Sequence, residues 1–254
     1  MHNYYLSMRT LNIFLLLLIV SSFSSCKKKD LSDCFKSTGE IIEQSRDVGR
    51  ISKIILRDNV NLVLEPSESD MLTVSAGENL MDKIVTEKNG DTLTVSNSNS
   101  CNWVRDYEVP ITVYLSSGHL SEIEYRSIGD INCTDTIFSD TLIIDVLEGA
   151  GTLNILTNTY QLHSSLHYGT ADIKLSGRSR LSYVYSAGWG LIDNRALISE
   201  QVYVGNKSSN DIYLNAEYTL AATIEGIGNI YYVGNPENIT FNQIGSGQLI
   251  KLEE

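Results

Sequence analysis

The chain has 254 residues, of which 42% are hydrophobic and 20% are charged. This apolar content supports a sizeable core, so the composition excludes an intrinsically disordered chain. The balance of 19 Lys and Arg against 31 Asp and Glu gives a net charge of −12, and without residues 1–25 it becomes 18 against 31, or −13. A chain this acidic offers no basic surface for a phosphate backbone, which argues against nucleic acid as a partner.

Residues 1–25 have the plan of a secretory signal peptide. Arg9 precedes an apolar run from Leu11 to Val20. The run is about ten residues long, too short to cross a bilayer as a helix, which needs about 20. It leads through small residues to Cys26, and Phe23-Ser24-Ser25-Cys26 resembles a bacterial lipobox, in which the cysteine is lipidated and becomes the first mature residue. The alternative is an ordinary secretory signal followed by an incidental cysteine.

We therefore predict cleavage before Cys26, a lipid anchor on that cysteine, and a tether over residues 26–47 with a possible first strand at Ile41-Ile42. Lys27 follows the cysteine directly. In Gram-negative lipoproteins an Asp at that position is associated with retention in the inner membrane. The resemblance thus implies the outer membrane, on its periplasmic or surface face, and makes the membrane a partner through the lipid.

Three further cysteines would lie in an oxidising envelope. No pair of them has the C-x2-C spacing of a zinc site and no histidine lies near them, so zinc is not expected. Cys133 follows the strand-like Asp130-Ile131-Asn132, where an apolar thiol packs well. Cys34 and Cys101 both lie in polar, loop-like sequence, and we predict a disulfide between them.

Residues 48–115 indicate a β-rich region with little internal repetition. A short helix is predicted over Glu78–Glu87, and Asn89-Gly90 is a strong hairpin turn. The predicted strands are Ile51–Leu56, Val60–Leu64, Met71–Val74, Leu93–Val95 and Val109–Leu115. We expect this region to cover the first turn of the repeats that follow, because an uncovered end would expose unpaired strand edges.

Residues 116–252 repeat about every 20 residues, and this is the most informative feature of the sequence. Each unit is a glycine-rich corner, one polar or apolar residue, and then Ile or Leu. The second position of each corner falls at 129, 151, 171, 190, 210, 228 and 247. Alternating apolar stretches precede the corners, and period-two alternation broken by Gly, Asn and Ser indicates strands.

Two short strands per unit cannot bury a face alone, so the units must stack. Parallel strands joined by successive crossovers coil right-handed. We therefore predict an all-β, right-handed parallel β-helix (β-solenoid) of about seven turns, with the β-rich region as its amino-terminal cap. A propeller needs about 40 residues per blade, and an antiparallel barrel or sandwich is the main competing fold.

The solenoid fixes a register for each corner. The Ile or Leu after the corner should point inward. The residue before it, such as Asp172 or Asp211, should face solvent, so changes there should be nearly neutral for stability. The corner glycines are expected to allow a positive φ where the chain turns.

Several segments together resemble the head GIN domain family of auto-transporter adhesins. They are Ile51-Ser52-Lys53-Ile54, Asn59-Val60-Asn61-Leu62, Ala76-Gly77-Glu78-Asn79-Leu80, Gly90-Asp91-Thr92-Leu93-Thr94-Val95, and the corners that end with Gly226-Ile227-Gly228-Asn229-Ile230. The resemblance covers about residues 50–252 and is especially close to lipoproteins of Bacteroidota, which share the stretch Cys101–Arg105. This chain departs at Gly169-Thr170-Ala171 and Ser208-Ser209-Asn210, where glycine is replaced. The resemblance implies a single β-helical cell-envelope domain over residues 48–252, with no catalytic residue.

No cofactor or metal site is predicted. Gly-x-Gly recurs in the corners but never continues to the Gly-x-x-Gly of a dinucleotide site. His163 and His167 have the helical spacing of metal ligands, but they lie on a predicted strand, so we expect surface histidines. Asp130, Asp172 and Asp211 share one position of a repeat of about 20 residues, but Thr152, Leu191 and Gln248 interrupt this series. Calcium-binding β-rolls instead repeat every nine residues.

Aromatic side chains gather in the repeats, and four are candidates for surface binding: Tyr168, Trp189, Tyr203 and Tyr213. Exposed aromatic rings stack on sugar rings or dock a partner, although tyrosine is equally a good strand residue. We expect a non-enzymatic surface lipoprotein of adhesin type that binds a glycan or an envelope protein.

The alternative is a polysaccharide-active enzyme, a lyase or hydrolase, built on a β-helix. Such an enzyme needs a basic residue beside clustered carboxylates to move a proton. The basic residues of the repeats share no repeat position with the Asp series, which counts against this alternative.

Overall fold

The computed structural model describes residues 37–65, 67, 69, 71–99, 110–116 and 118–253. The predicted signal peptide, the anchor at Cys26 and the disulfide between Cys34 and Cys101 lie outside the described residues. The described residues from Thr38 to Glu253 belong to one compact unit. Within the described residues, no helix is long and apolar enough to cross a bilayer.

The amino-terminal part consists of short strands and one short helix. Its elements in chain order are β1 (Ile41–Asp47), β2 (Lys53–Asp58), β3 (Val60–Glu65), β4 (Met71–Gly77), α1 (Glu78–Met81), β5 (Ile84–Asn89), β6 (Thr92–Asn97), β7 (Ile111–Ser116), β8 (Glu122–Ser127) and β9 (Ile131–Cys133).

The repeats form longer strands that bend within themselves. They are β10 (Ile137–Val146), β11 (Thr152–Leu166), β12 (Asp172–Ser186), β13 (Ile192–Asn206), β14 (Ile212–Ile224), β15 (Ile230–Val233), β16 (Asn238–Gln243) and β17 (Leu249–Lys251).

Most strands stack in two parallel series that run along the solenoid, and the first residues of β10 stack with the middle of β11 to β13 in a third. The first series is β6, β2, β8, the carboxyl-terminal halves of β10 to β14, and β16. The second is β7, β3, β9, the amino-terminal halves of β11 to β14, then β15 and β17. The predicted all-β solenoid is confirmed, with about six turns instead of seven.

Antiparallel strands cover the amino-terminal end of the stack. β4 pairs with β7 and β1, and β5 pairs with β6. β1 lies within the segment that the sequence analysis assigned to the tether, where only Ile41-Ile42 suggested a strand. Its side chains are mostly exposed, with Ile41 at 62%. Backbone pairing with β4 holds β1 in place, so its sequence lacks a buried, alternating pattern.

The predicted helix over 78–87 is much shorter in the structure. α1 ends at Met81, and the chain enters β5 at Ile84. The β5–β6 hairpin turns at Gly90, whose φ of 61° requires the left-handed conformation that glycine adopts readily. Hairpin pairing with β6 therefore takes residues 84–87 out of the helix.

The aliphatic residue after each corner points inward, as predicted. These residues face one another from turn to turn along the second series of strands: Ile131, Leu153, Ile173, Ile192, Ile212, Ile230 and Leu249. All are buried except Leu249, which is partly exposed on the last turn. This aliphatic column is the continuous part of the core, and it fixes the register of the repeats.

The Asp residues before this column do more than face solvent. Asp172 Oδ1 accepts the backbone N–H of Leu191 at 2.8 Å, and Asp211 Oδ1 accepts that of Asn229 at 2.8 Å. Asp130 does the same for Thr152. Each carboxylate thus ties its corner to the corner of the next turn. The sequence did not predict these hydrogen bonds, and because of them we now expect removal of the acceptor oxygen at Asp172 or Asp211 to lower stability.

The second glycine of most corners is required by close packing between turns. A Cβ at Gly190 would collide with the carbonyl group of Ala171, and one at Gly228 with that of Asn210. Their φ angles are not positive. The predicted positive φ occurs instead two residues before the second corner position, at Gly149 (φ 128°) and Gly169 (φ 96°).

Buried polar side chains form hydrogen bonds with the backbone of the corners. The Tyr125 hydroxyl donates to the carbonyl oxygen of Gly129 at 2.7 Å and accepts the N–H of Gly151 at 2.9 Å. Burial raises the pKa of Tyr125 to about 12. At the fifth corner, which lacks glycine, the Ser208 hydroxyl donates to the carbonyl oxygen of Asn210 at 2.9 Å and accepts the Asn210 N–H at 3.0 Å.

Candidate binding surface

The four aromatic residues predicted for surface binding lie in three separate places. Tyr168 and Trp189 occupy successive corners, where their rings meet edge to face with centroids 5.0 Å apart. They are 60% and 52% exposed. Tyr203 lies in the first series of strands and Tyr213 in the second. The structure thus joins only Tyr168 and Trp189 directly.

Tyr213 belongs to a cation–π cluster on the second series. Its ring stacks on Tyr231 with centroids 4.9 Å apart and an interplanar angle of 10°, and the Arg195 guanidinium lies 4.9 Å from the Tyr213 centroid. Arg195 Nε donates to Asp193 Oδ1 at 2.8 Å. This hydrogen bond lowers the pKa of Asp193, while burial raises the pKa of Tyr213. The Arg195 guanidinium already contacts both Asp193 and the Tyr213 ring, so this cluster leaves little of its interaction capacity for an external ligand.

Tyr203 belongs to a ladder of stacked rings that we call the tyrosine ladder: His163, Tyr183 and Tyr203. The three residues are paired on consecutive turns of the first series. The centroids are 4.7 Å apart for His163 and Tyr183, and 5.4 Å apart for Tyr183 and Tyr203, with interplanar angles of 17° and 23°. These distances are close to the strand spacing of about 4.8 Å. The rings therefore face one another along the solenoid axis.

A cavity of about 420 Å³ opens beside the last ring of the ladder. We call it the outer groove. The floor of the groove is made of small residues from β13 and β14, namely Gly205, Ala221 and Thr223. Thr240 and Asn242 of β16 form its far side. Tyr183 and Tyr203, 37% and 39% exposed, form its aromatic wall. None of its lining residues is charged.

A second groove, about 610 Å³, lies on another part of the repeats. Phe138 and Tyr160, 70% and 55% exposed, line it together with Arg180 and Glu200. The Arg180 guanidinium lies 5.2 Å from the Tyr160 centroid, and its Nε is 3.5 Å from Glu200 Oε2. Arginines and carboxylates thus meet here, although neither belongs to the Asp series considered in the sequence analysis.

The histidines contact neighbouring side chains of the surface. His163 Nε2 lies 2.6 Å from Gln161 Nε2, and His167 Nε2 lies 3.5 Å from Asp145 Oδ1. No group of three or more His, Cys, Asp or Glu side chains that could hold a metal ion occurs in the described part of the chain. Cys133, the one cysteine in that part, is a free thiol whose sulfur accepts the Leu156 N–H at 3.0 Å.

Gly205 and Ala221, which line the outer groove, could not be recognised as site residues from the sequence. Their signal in the sequence is weak, because a single small residue in a strand does not indicate a groove until the pairing register of the strands is known. Pairing places Ala221 next to Tyr203, and Gly205 next to Tyr185, in columns that carry large rings one turn earlier. Only the three-dimensional register shows that two neighbouring surface positions hold small residues where the preceding turn holds aromatic rings.

The family model of the putative auto-transporter adhesin, head GIN domain, matches residues 51–236. The chain belongs to this family. The match spans both the amino-terminal strands and the repeats, in agreement with the resemblance found in the sequence. No curated protein matches the chain in sequence.

Solved structures share the fold of this head GIN protein. A putative adhesin from Bacteroides fragilis is 22% identical with a TM-score of 0.76, over 84% of this chain and 97% of the other. A putative lipid binding protein from Parabacteroides distasonis is 21% identical with a TM-score of 0.64, over 85% and 98%. A putative adhesin from Parabacteroides merdae is 19% identical with a TM-score of 0.59, over 85% and 98%.

Proposed function

We propose that this protein is a lipoprotein of the bacterial outer membrane, anchored through Cys26, whose solenoid binds an envelope or surface glycan, or an envelope protein, without catalysis. Membership of the adhesin head family supports the non-enzymatic role. The lipobox-like Phe23-Ser24-Ser25-Cys26, followed by Lys27, supports the anchor and the outer membrane.

The observation that carries the binding role is the exposure of aromatic rings on the outside of a rigid parallel stack. Each turn is paired with its neighbours through backbone hydrogen bonds, so outward side chains are held at about the strand spacing. Rings held in this way lose little conformational entropy when a ligand stacks on them. Open grooves lined by Tyr203 and by Tyr160 therefore suit an extended ligand that lies across several turns.

The enzyme alternative has one favourable observation, the ion pair between Arg180 and Glu200 in the groove of about 610 Å³. Their side chains are 57% and 44% exposed, whereas catalytic carboxylates are usually tuned by burial or by a close like charge. Arg180 is moreover engaged with Tyr160. The arrangement fits a solvated ion pair on a binding surface better than an acid–base pair.

The anchor is tested by Cys26→Ala in the full chain, expressed in a Gram-negative host. We expect the variant to leave the membrane fraction or to stay unprocessed, while the parent chain floats with outer-membrane vesicles. Cys133→Ala is the matched control and should fractionate like the parent. A Cys26→Ala chain that is cleaved normally and still fractionates with membranes would show that the lipobox interpretation is wrong.

The binding role is tested by passing the purified protein over immobilised polysaccharides and outer-membrane extracts. We expect retention of this protein on at least one of them, and weaker retention after its exposed aromatic residues are replaced. An unrelated protein with an exposed Phe is the control and should not be retained. Complete absence of retention on every surface would contradict the proposed role.

A further inference from the structure

We propose that the outer groove is a seat for one neutral pyranose ring of a glycan, which stacks on Tyr203 and takes the place of the next ring in the tyrosine ladder. This inference rests on the proposed binding function and assigns it a ligand class and a position. Three features of the described residues carry it: the end of the ladder, the glycine in its floor, and the uncharged polar rim.

The ladder is closed at one end and open at the other. At its amino-terminal end, Ile143 pairs with His163, so the position next to that ring holds an aliphatic side chain. At the other end, the neighbour of Tyr203 is Ala221, and the neighbour of Ala221 is Thr240. One face of the Tyr203 ring is stacked on Tyr183. Its second face is directed towards a position where the chain supplies only a methyl group.

Gly205 widens the groove beside Tyr203, and neither its backbone conformation nor close packing requires a glycine there. The other glycines from residue 119 onwards either have a positive φ or would place a Cβ within 3.0 Å of a neighbouring atom. A Cβ at Gly205 would meet only Tyr185 Cδ2, at 3.6 Å, which is an ordinary contact. Glycine in a strand interior weakens the strand and often marks the close approach of a ligand. We attribute Gly205 to such an approach.

The rim of the groove matches the two-sided character of a sugar. A pyranose presents axial C–H groups on one face and hydroxyl groups around its edge. The Tyr203 face receives the C–H groups, and Thr223, Thr240 and Asn242 offer hydroxyl and amide groups to the edge. An aromatic peptide side chain would stack equally well but would form no hydrogen bonds with these polar groups, so it would gain less from the rim than a sugar does.

The charge of the site favours a neutral sugar. No charged residue lines the outer groove, and the chain carries a net charge of −12. A polyanionic glycan would be repelled by the chain as a whole and would find no arginine or lysine in the groove to compensate. A hexose or pentose without carboxylate, sulfate or phosphate avoids both costs.

The test uses the purified full-length protein and a panel of neutral oligosaccharides: cellohexaose, xylohexaose, mannohexaose and galactohexaose. Binding is measured by isothermal titration and by affinity electrophoresis. We expect at least one probe to bind the parent protein and its affinity to fall by about tenfold or more in Tyr203→Ala, as loss of an aromatic stacking partner does. Tyr203→Phe, which keeps the ring, should retain binding.

Two filling variants test the seat without removing a contact. Gly205→Val adds a side chain where the surroundings admit one, and Ala221→Tyr lets the chain complete its own ladder. Both should abolish probe binding while the melting temperature stays at or above that of the parent, because neither creates a cavity or a clash. Tyr213→Ala, in the stacked pair on the other series, is the control and should bind like the parent.

The outcomes separate this seat from the broader proposal. Probe binding that survives both Gly205→Val and Ala221→Tyr overturns the seat and leaves glycan binding elsewhere on the solenoid intact. Failure of the parent to bind any neutral probe, with retention on a charged polysaccharide or an envelope protein, overturns the seat and keeps the proposed function. Failure to bind any of these overturns both.

Discussion

Replacing Asp172 and Ile173 in turn should reveal which residue of the corner carries the stability of the solenoid. Ile173 is fully buried and is stacked between Leu153 and Ile192. Asp172 precedes it, is partly exposed, and accepts the Leu191 N–H at 2.8 Å. Ile173→Asp therefore removes the inward aliphatic side chain. Asp172→Ala removes the hydrogen bond between turns, and Asp172→Asn removes only the charge.

The structure sets an order for the losses in the free energy of unfolding. Truncation of a buried Ile costs about 2–5 kcal/mol, and an unpaired carboxylate in the same place adds several more. Loss of one hydrogen bond to a partly solvated carboxylate costs about 1 kcal/mol. Against a total stability of about 5–15 kcal/mol, Ile173→Asp should unfold the domain or nearly so. Asp172→Ala should lower its stability modestly, and Asp172→Asn, which keeps an acceptor oxygen, should be close to neutral.

Urea unfolding followed by circular dichroism measures all three variants on one scale, with the slope of the transition as a check that the same surface unfolds. The inward register would be refuted if Ile173→Asp were as stable as the parent. The bond between turns would be refuted if Asp172→Ala and Asp172→Asn had equal midpoints, or if both matched the parent.

Three further changes test other parts of the structure. Tyr125→Phe should cost about 1–3 kcal/mol because it leaves a buried N–H unpaired. Since the folded pKa of Tyr125 is about 12 against about 10 unfolded, its contribution is full below pH 10 and is lost between pH 10 and 12, so the parent should lose stability over that window more steeply than Tyr125→Phe in alkaline melts. Gly190→Ala should lower the melting temperature, because the new Cβ collides with the carbonyl group of Ala171; an unchanged melt would contradict the close packing. Peptide mapping without reductant should recover Cys34 joined to Cys101, a bridge that closes a loop of about 67 residues and contributes about 4 kcal/mol, and recovery of either as a free thiol would refute the pairing.

The repeats could be predicted from the sequence because their core is periodic. Every turn must place an aliphatic residue at the same inward position, so Ile173, Ile192 and Ile212 recur with the length of the turn. The amino-terminal strands have no such constraint. The β2–β3 pair, first in the chain, stacks between β6–β7 and β8–β9. Local patterns of alternation carry no information about that order.

The candidate site was harder to predict for a related reason. Tyr183 and Tyr203 are one turn of 20 residues apart, but the chain returns after 18 residues to place Ala221 beside Tyr203. A fixed period would pair Tyr203 with Thr223 instead. Irregularities in the β13–β14 register absorb the difference, and they decide which side chains meet on the surface. The role of Asp172 was missed because its partner, Leu191, lies on the following turn.

The central claim is that the solenoid binds its ligand without changing it. The most direct test incubates the purified protein with each polysaccharide of a broad panel, and measures retained protein, new reducing ends and unsaturated sugar products in the same samples over time. We expect retention on at least one polysaccharide with no increase in either product above a buffer control. Depolymerisation of any member by the parent protein, abolished by Glu200→Gln or Arg180→Ala, would contradict the claim and move the protein to the class of polysaccharide-active enzymes.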